Sequence, residues 1–299
     1  MRLSIVIRTL NEARYLRELL ESIARQQCDG LEVETVVIDS GSTDGTQQIA
    51  NEFGCVLTHI RREDFSFGRS LNQGCEAATG DVFVFISGHC VPTNDHWLRL
   101  LCAPVVDGQV AFSYGRQIGG AESRFSECRI FEKYYPLVTR LPQTGFFCNN
   151  ANSALSRAAW SAQQFDEGLT GLEDMELAKR LCAAGHRVGY VADACVYHHH
   201  QESWAQVERR FEREAIALQK IMPQIHLGML DTLRYIATSI AHDLKQARVD
   251  GRAWQLASEI VRYRTAQYVG SYKGNHDHRR LSHAQKDIYF YPANRSETP

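Results

Sequence analysis

The chain has 299 residues, 44% of them hydrophobic and 23% charged, enough for one large domain or one domain with a smaller appendage. A formal net charge of −2 excludes a nucleic-acid binder that relies on bulk positive charge. The charge is uneven: from Trp204 onward 15 Lys and Arg stand against 10 Asp and Glu, so this part is +5 and the rest −7.

Residues 3–7 are a short apolar run that reads as a strand, and residues 12–25 set Leu16, Leu19, Leu20 and Ile23 on one helical face. A second strand at 33–38 ends in Asp39, followed by a short helix at 46–53 and a strand at 55–60. A helix at 68–78 leads into residues 81–86, an almost unbroken apolar run. Strands apolar on both faces and separated by helices predict a parallel sheet covered on both sides. Past Pro92 the pattern loosens. It predicts a strand at 111–114, a helix at 124–134, a helix at 173–184 closed by Gly185, and a strand at 188–191. From Trp204 only helical periodicity remains. Trp204, Val207, Phe211, Leu218 and Met222 form one stripe, Leu233, Ile236, Ile240 and Leu244 another, and a third helix covers 253–269. The expected organisation is an α/β domain over residues 1–203 and a C-terminal helical region over 204–299.

Nine cysteines stand singly, with no Cys-x-x-Cys pair, and Cys55, Cys75, Cys182 and Cys195 sit among apolar or small residues. This predicts reduced thiols serving as small hydrophobes in a cytoplasmic protein. No segment reads as a secretory signal, and no apolar run approaches the roughly 20 residues that span a bilayer. The basic C-terminal part could meet phosphates or an anionic membrane surface from the inner face, and a solvated helical face accounts for it equally well.

In open parallel sheets ligands bind beyond the carboxyl ends of the strands. Three strand ends carry distinctive polar sequence: Arg8-Thr9-Leu10-Asn11-Glu12, Asp39-Ser40-Gly41-Ser42-Thr43-Asp44-Gly45-Thr46, and Ser87-Gly88-His89-Cys90. Each alone is ordinary turn and capping chemistry. Together they point to a nucleotide-sized crevice. Downstream, Glu173-Asp174 opens a helix, where acids complement the macrodipole, and Tyr197-His198-His199-His200 follows about 25 residues later.

In their order and spacing these elements, with Gly80-Asp81-Val82-Phe83-Val84-Phe85 between them, resemble the family 2 glycosyltransferases of the GT-A fold over residues 3–203. The Asp-Ser-Gly-Ser-Thr-Asp-Gly-Thr form and the Trp97 stretch are similar to rhamnosyltransferase-like branches. The resemblance implies a nucleotide-sugar-binding α/β fold with a mostly parallel central sheet. It also implies direct displacement with inversion at the anomeric carbon. By the same resemblance Thr9, Asn11 and Glu12 line the nucleotide pocket, and Asp39 hydrogen-bonds the base with Ser42 nearby. Arg69, Ser87 and Gly88 meet the nucleotide-sugar, Asp174 is the catalytic base and Glu173 positions the acceptor. A helix start is expected to keep Asp174 ionised and in place.

The pattern breaks after the fourth strand. Where the family carries Asp-x-Asp, this chain has Ser87-Gly88-His89, with no carboxylate. Either His89 and His198 hold a divalent cation, Mn2+ more readily than Mg2+, or no metal is used and His89 meets the diphosphate directly. His198 matches the family position better than His200, and His199 is expected to point away. The expected partners are a nucleotide-diphosphate sugar and a glycan or lipid-linked acceptor, with peripheral membrane contact and a homodimer interface as roles for the C-terminal helices. Two other functions fit less of the sequence. A nucleotidyltransferase making nucleotide-sugars needs a Gly-rich basic loop after the first strand, where Thr9-Leu10-Asn11-Glu12 stands. A non-catalytic scaffold of the same fold accounts for the missing Asp-x-Asp but not for Glu173-Asp174. Asn149, Asn150 and Asn152 read either as sugar contacts or as turn residues.

Overall fold

A computed structural model describes residues 1–28, 30–276 and 289. In chain order the elements are β1 (Arg2–Thr9), α1 (Ala13–Ala24), β2 (Glu32–Asp39), α2 (Thr46–Glu52), β3 (Val56–His59), α3 (Phe67–Ala77), β4 (Val82–Ser87) and β5 (Cys90–Pro92). They continue with α4 (Trp97–Val106), β6 (Phe112–Gly119), α5 (Phe125–Tyr134), β7 (Asn152–Ser156), α6 (Arg157–Ala162), α7 (Glu173–Ala183) and β8 (Val188–His198). Three long helices close the described chain: α8 (Trp204–Ile221), α9 (Met229–Val249) and α10 (Ala253–Asn275).

The eight strands form one sheet in the order β3-β2-β1-β4-β7-β6-β8-β5. Pairings β1–β2, β2–β3, β1–β4 and β6–β8 are parallel, while β7 runs antiparallel to β4 and β6, and β5 antiparallel to β8. The mostly parallel α/β sheet expected from the apolar runs is therefore present. Leu3, Ile5 and Ile7 of β1 and Val82, Val84 and Ile86 of β4 are buried with Leu16, Leu19 and Leu20 of α1 in one core. The chain builds outward from β1 through β2 to β3, then returns to place β4 on the other side of β1. This reversal makes the carboxyl ends of β1 and β4 the topological switch point of the sheet, where ligands bind in open α/β sheets.

Four elements go beyond the predicted pattern. Strand β5 has three residues, too few for a period, and β7 carries Asn152 and Ser153 fully buried, so its sequence does not read as a strand. Helix α4 is apolar nearly all round and contains Pro104, which reads as a helix breaker although it sits in the last turn. Helix α6 is only six residues long. Strand β8 runs on to His198, well past the predicted 191, because it bulges against β6: Gly115 pairs with Val191 and Gln117 with Val196. A side chain at Gly115 would meet the Ala194 carbonyl oxygen at 2.1 Å, so the bulge needs glycine there.

The chain divides into two compact units, one of residues 1–121, 131–168 and 173–199, the other of 122–130, 169–172 and 200–299. The last part of the predicted 204–299 region lies outside the described residues. In the second unit α8 and α10 approach closely at Gly270 and Gly274, where an added Cβ would lie 2.2 Å from the Glu208 carbonyl oxygen and 2.1 Å from that of Glu212. Ala247, Leu256 and Ile260 form a core between α9 and α10, and the buried Arg264 and Asp243 make a two-pronged ion pair at 2.7 and 3.0 Å. The predicted stripe on α9 holds at Ile240 and Leu244, which pack on that core. Leu233 is instead exposed. None of the nine cysteines forms a disulfide among the described residues, and no helix there is long and apolar enough to cross a membrane.

Candidate active site

The loops after β1 and β2 are built on each other. The fully buried Asp39 accepts at Oδ1 from the backbone of Gly41 (3.0 Å) and Ser42 (2.9 Å) and from Gln47 Nε2 (2.8 Å). Its Oδ2 accepts from Thr9 Oγ1 at 3.1 Å and from the Ser42 hydroxyl. Asn11 has φ +57°, a left-handed conformation that asparagine tolerates better than most residues. From there its Oδ1 accepts the Thr43 N–H at 2.8 Å, and its own N–H donates to Ser42 Oγ at 2.8 Å. Glu12 N–H donates to Thr46 Oγ1 at 2.8 Å. Thr9, Asn11, Glu12, Asp39 and Ser42 are thus brought together as one rigid loop pair. Both Asp39 oxygens are already engaged by their own loops, an inward orientation that a nucleotide-pocket motif in sequence does not reveal.

A second group forms where β1 and β4 end. His89 Nδ1 lies 2.8 Å from Glu12 Oε1, and Ser87 Oγ lies 3.1 Å from His89 Nε2. Gly88 allows this approach: a Cβ there would sit 2.9 Å from Glu12 Cγ. The His89 ring stacks on His198 with centroids 5.1 Å apart, and the two rings offer nitrogens within 4.8 Å of one another. His198, buried at the end of β8, has Nδ1 2.7 Å from Gln117 Oε1 and stacks on Phe131. His199 turns the other way and stacks on Tyr15 at 4.6 Å.

Glu173 and Asp174 open α7, and both are buried. Leu172, the residue before them, has φ +56°, a strained conformation for leucine costing on the order of 1 kcal/mol or more. Asp174 Oδ2 accepts the Asn150 N–H at 2.7 Å, and Oδ1 accepts the Met175 N–H at 2.7 Å. Burial, and then the neighbouring Glu173 charge, push the Asp174 carboxyl up to about 7, against the pull of those two N–H groups and of Arg8. The expectation that the helix start keeps Asp174 ionised is corrected here. Loss of water outweighs the dipole, and the group is poised at neutrality instead. Glu173 Oε1 pairs with Arg8 Nη1 at 3.2 Å. The end of β1 therefore joins both groups, through Arg8 to Glu173 and through Glu12 to His89.

Arg69 is not drawn into this arrangement. Its side chain pairs with Glu167 at 2.7 Å and donates to the Asp64 carbonyl at 3.1 Å. Two residues went unassigned in sequence, Arg8 and Gln117, while Asn150, read as a sugar contact or a turn residue, holds Asp174 through its backbone N–H. Arg8 stands inside the first strand-end motif, and its charge was the available signal. Gln117 carries no pattern of its own. Of the three asparagines, Asn152 is structural, accepting from Trp97 Nε1 at 2.8 Å and donating to two carbonyls in the β6–β8 bulge.

The loops after β1, β2 and β4 fall inside a stretch, 4–160, that matches the family model described as Glycosyl transferase family 2, while Glu173, Asp174 and His198 lie beyond it. Glycosyltransferase AglE of Haloferax volcanii is 30% identical over 122 residues, covering 37% of this chain and 40% of AglE. The O-antigen chain rhamnosyltransferase WbaN of Salmonella anatum is 26% identical over 189 residues, 60% of each protein. The chain thus spans 40 to 60% of the length of these two relatives. Among solved structures, the mannosyltransferase PcManGT of Pyrobaculum calidifontis, in complex with GDP-Man and Mn2+, aligns with a TM-score of 0.67 at 18% identity, over 93% of this chain and 88% of that one. Glucosyl-3-phosphoglycerate synthase of Mycobacterium tuberculosis, in complex with Mg2+ and UDP, aligns with a TM-score of 0.53 at 21% identity, over 74% and 79%. At these identities the structural likeness speaks for the fold, which is GT-A. With more than half its length matched by the family model, the chain belongs to glycosyl transferase family 2.

Proposed function

We propose that the protein is an inverting glycosyltransferase, moving a hexosyl or deoxyhexosyl group from a nucleotide-diphosphate sugar to an acceptor hydroxyl. The observation that carries this reading is Asp174, a buried carboxyl held by two N–H groups and poised at about 7. A general base works best near the ambient pH. As the acceptor oxygen bonds to the anomeric carbon, its proton passes to Asp174. The bond from that carbon to the diphosphate breaks, and its electron pair leaves on the diphosphate oxygen. Glu173, steadied by Arg8, positions the acceptor. Thr9, Asn11, Glu12, Asp39, Ser42, Ser87 and Gly88 hold the nucleotide-sugar, with a base N–H exchanging for one of the five donors now on Asp39. Binding energy from the nucleotide then aligns the sugar for attack.

We further propose that His89 and His198 hold a divalent cation. Their chemistry suits one: Glu12 Oε1 lies 2.8 Å from His89 Nδ1, and an imidazole donating there carries its lone pair on Nε2, as metal-bound imidazoles do. A cation there supplies neutralisation of diphosphate charge. The Mn2+ and Mg2+ named with nucleotides in two structures of the same fold support this reading. The relatives named as O-antigen rhamnosyltransferases support a surface glycan or its lipid-linked precursor as acceptor, which suits an enzyme of the cytoplasm. We place the chemistry in residues 1–203 and assign residues 204–299 to membrane or homodimer contact. Between α9 and α10, Val249 and Trp254 are 75% and 96% exposed beside Arg248 and Arg252, which fits an anionic bilayer surface.

A thermal-shift panel of nucleotide-sugars with Mn2+, Mg2+ or chelator identifies donor and metal, and a transfer assay with wild type and Asp174→Asn tests the base. Transfer that vanishes in Asp174→Asn while donor binding persists is the expected result. Donor binding without transfer by wild type would favour the scaffold reading, and pyrophosphate release from a nucleoside triphosphate and a sugar phosphate would favour the nucleotidyltransferase. Absence of binding to anionic liposomes at low salt would remove the membrane role.

A further inference from the structure

We propose that Gln117 is a positioning residue that sets the tautomer of His198 and ties it to the turn holding Asp174. The argument rests on hydrogen-bond directions rather than on proximity. The Ala151 backbone N–H, which can only donate, points at Asn149 Oδ1 over 3.0 Å. That contact identifies the oxygen end of the Asn149 amide. Gln117 reaches the same oxygen at 3.0 Å, so it presents Nε2 there. Its Oε1 then faces His198 Nδ1 at 2.7 Å, which makes Nδ1 the protonated nitrogen. A neutral His198 protonated at Nδ1 carries its lone pair on Nε2. The residue after Asn149 donates its backbone N–H to Asp174 Oδ2 at 2.7 Å. One amide side chain thus spans from the leaving-group side of the crevice to the segment that fixes the base.

The fold is arranged to hold this amide. Gln117 is 1% exposed and is the first β6 residue to pair with β8 beyond the bulge, at Val196. Bulges re-aim the side chains beside them. This one is pinned by Asn152, which donates to the carbonyls of Arg116 (3.0 Å) and Ala194 (2.8 Å). Gln117 therefore has little freedom to exchange its ends.

The inference rests on the proposed roles of His198 and Asp174, and its test separates the two. In imidazole-15N-labelled protein without metal, wild-type His198 is expected to show a protonated Nδ1 and an unprotonated Nε2. Gln117→Met, of similar length but without the amide, is expected to show mixed tautomers while retaining its circular dichroism and a cooperative melt. Mn2+ titration should then show roughly 10- to 100-fold weaker binding in Gln117→Met. Gln117→Glu, which keeps an acceptor toward Nδ1 but loses the donor toward Asn149, should retain Mn2+ affinity and lose kcat rather than donor KM. If Gln117→Met left the His198 tautomer unchanged, or if wild type carried the proton on Nε2, the proposal would be overturned. If wild type bound no Mn2+, the metal reading would fall, and the tautomer spectra would still decide the role of Gln117.

Discussion

Replacing Asp174 by Asn should make the protein more stable at alkaline pH while ending transfer. The folded carboxyl sits at about 7, far above the ordinary aspartate range, so the folded chain keeps a proton that the unfolded chain releases. Stability therefore falls as pH rises from about 4 and levels off above about 7. Relative to a side chain neutral in both states, Asp174 costs about 4 kcal/mol at pH 8, where its buried charge is present, and about 2 kcal/mol at pH 5, where folding must take up a proton. Asparagine removes that cost but has one acceptor, whereas the Asn150 and Met175 N–H groups reach different oxygens of Asp174. One buried N–H is left facing an amide NH2, a loss of about 1–3 kcal/mol at either pH. The net change at pH 8 is a gain of about 1–3 kcal/mol, and at pH 5 it is near zero. The hydrogen-bond loss cancels between the two conditions, so the Tm difference between variant and wild type should grow by roughly 3–4 °C from pH 5 to pH 8. Thermal melts of both proteins at the two pH values measure this. An equal offset at both, or a larger loss at pH 8, would show that burial does not hold the Asp174 proton.

Glu173→Gln removes the like charge beside Asp174 and frees Arg8 to act on it, so the acid limb of kcat/KM should move down by about one pH unit. An unmoved limb in the pH–rate profile would refute that coupling. Gly88→Ala places a Cβ 2.9 Å from Glu12 Cγ and should push Glu12 away from His89, costing about 1–3 kcal/mol and weakening Mn2+ binding. Melts and a Mn2+ titration that both match wild type would mean the approach has slack. In the helical unit, Arg264→Met takes the cation from the buried Asp243, which keeps its contact with the Ser126 hydroxyl at 2.7 Å, and should destabilise by about 3–5 kcal/mol in urea. A loss under 1 kcal/mol would place that pair in a wetter setting than its burial indicates.

Much of the fold was legible because β1, β2, β4 and the helices between them are apolar on the faces that the sheet buries, and burial leaves a period in the sequence. The carboxyl ends of β1, β2 and β4 were legible as a ligand crevice for the same reason: strand periods stop where polar loops begin. Strand β7 was not legible, since Asn152 and Ser153 are buried through hydrogen bonds rather than through apolarity. Helix α4 hid behind Pro104, which its last turn tolerates.

By itself the sequence determined the family, the order of the strand-end loops, and Asp174 as the carboxylate to examine. Only the tertiary structure decided that Asp174 is buried and poised near neutrality, that Asp39 turns its oxygens inward, and that the hydrogen-bonded pairs Glu12–His89 and Gln117–His198 meet through their stacked imidazoles. These properties depend on which groups are removed from water and which donor meets which acceptor. Their deciding contacts join residues 24 to 165 positions apart, such as Asn150–Asp174 and Arg8–Glu173, so no local period records them.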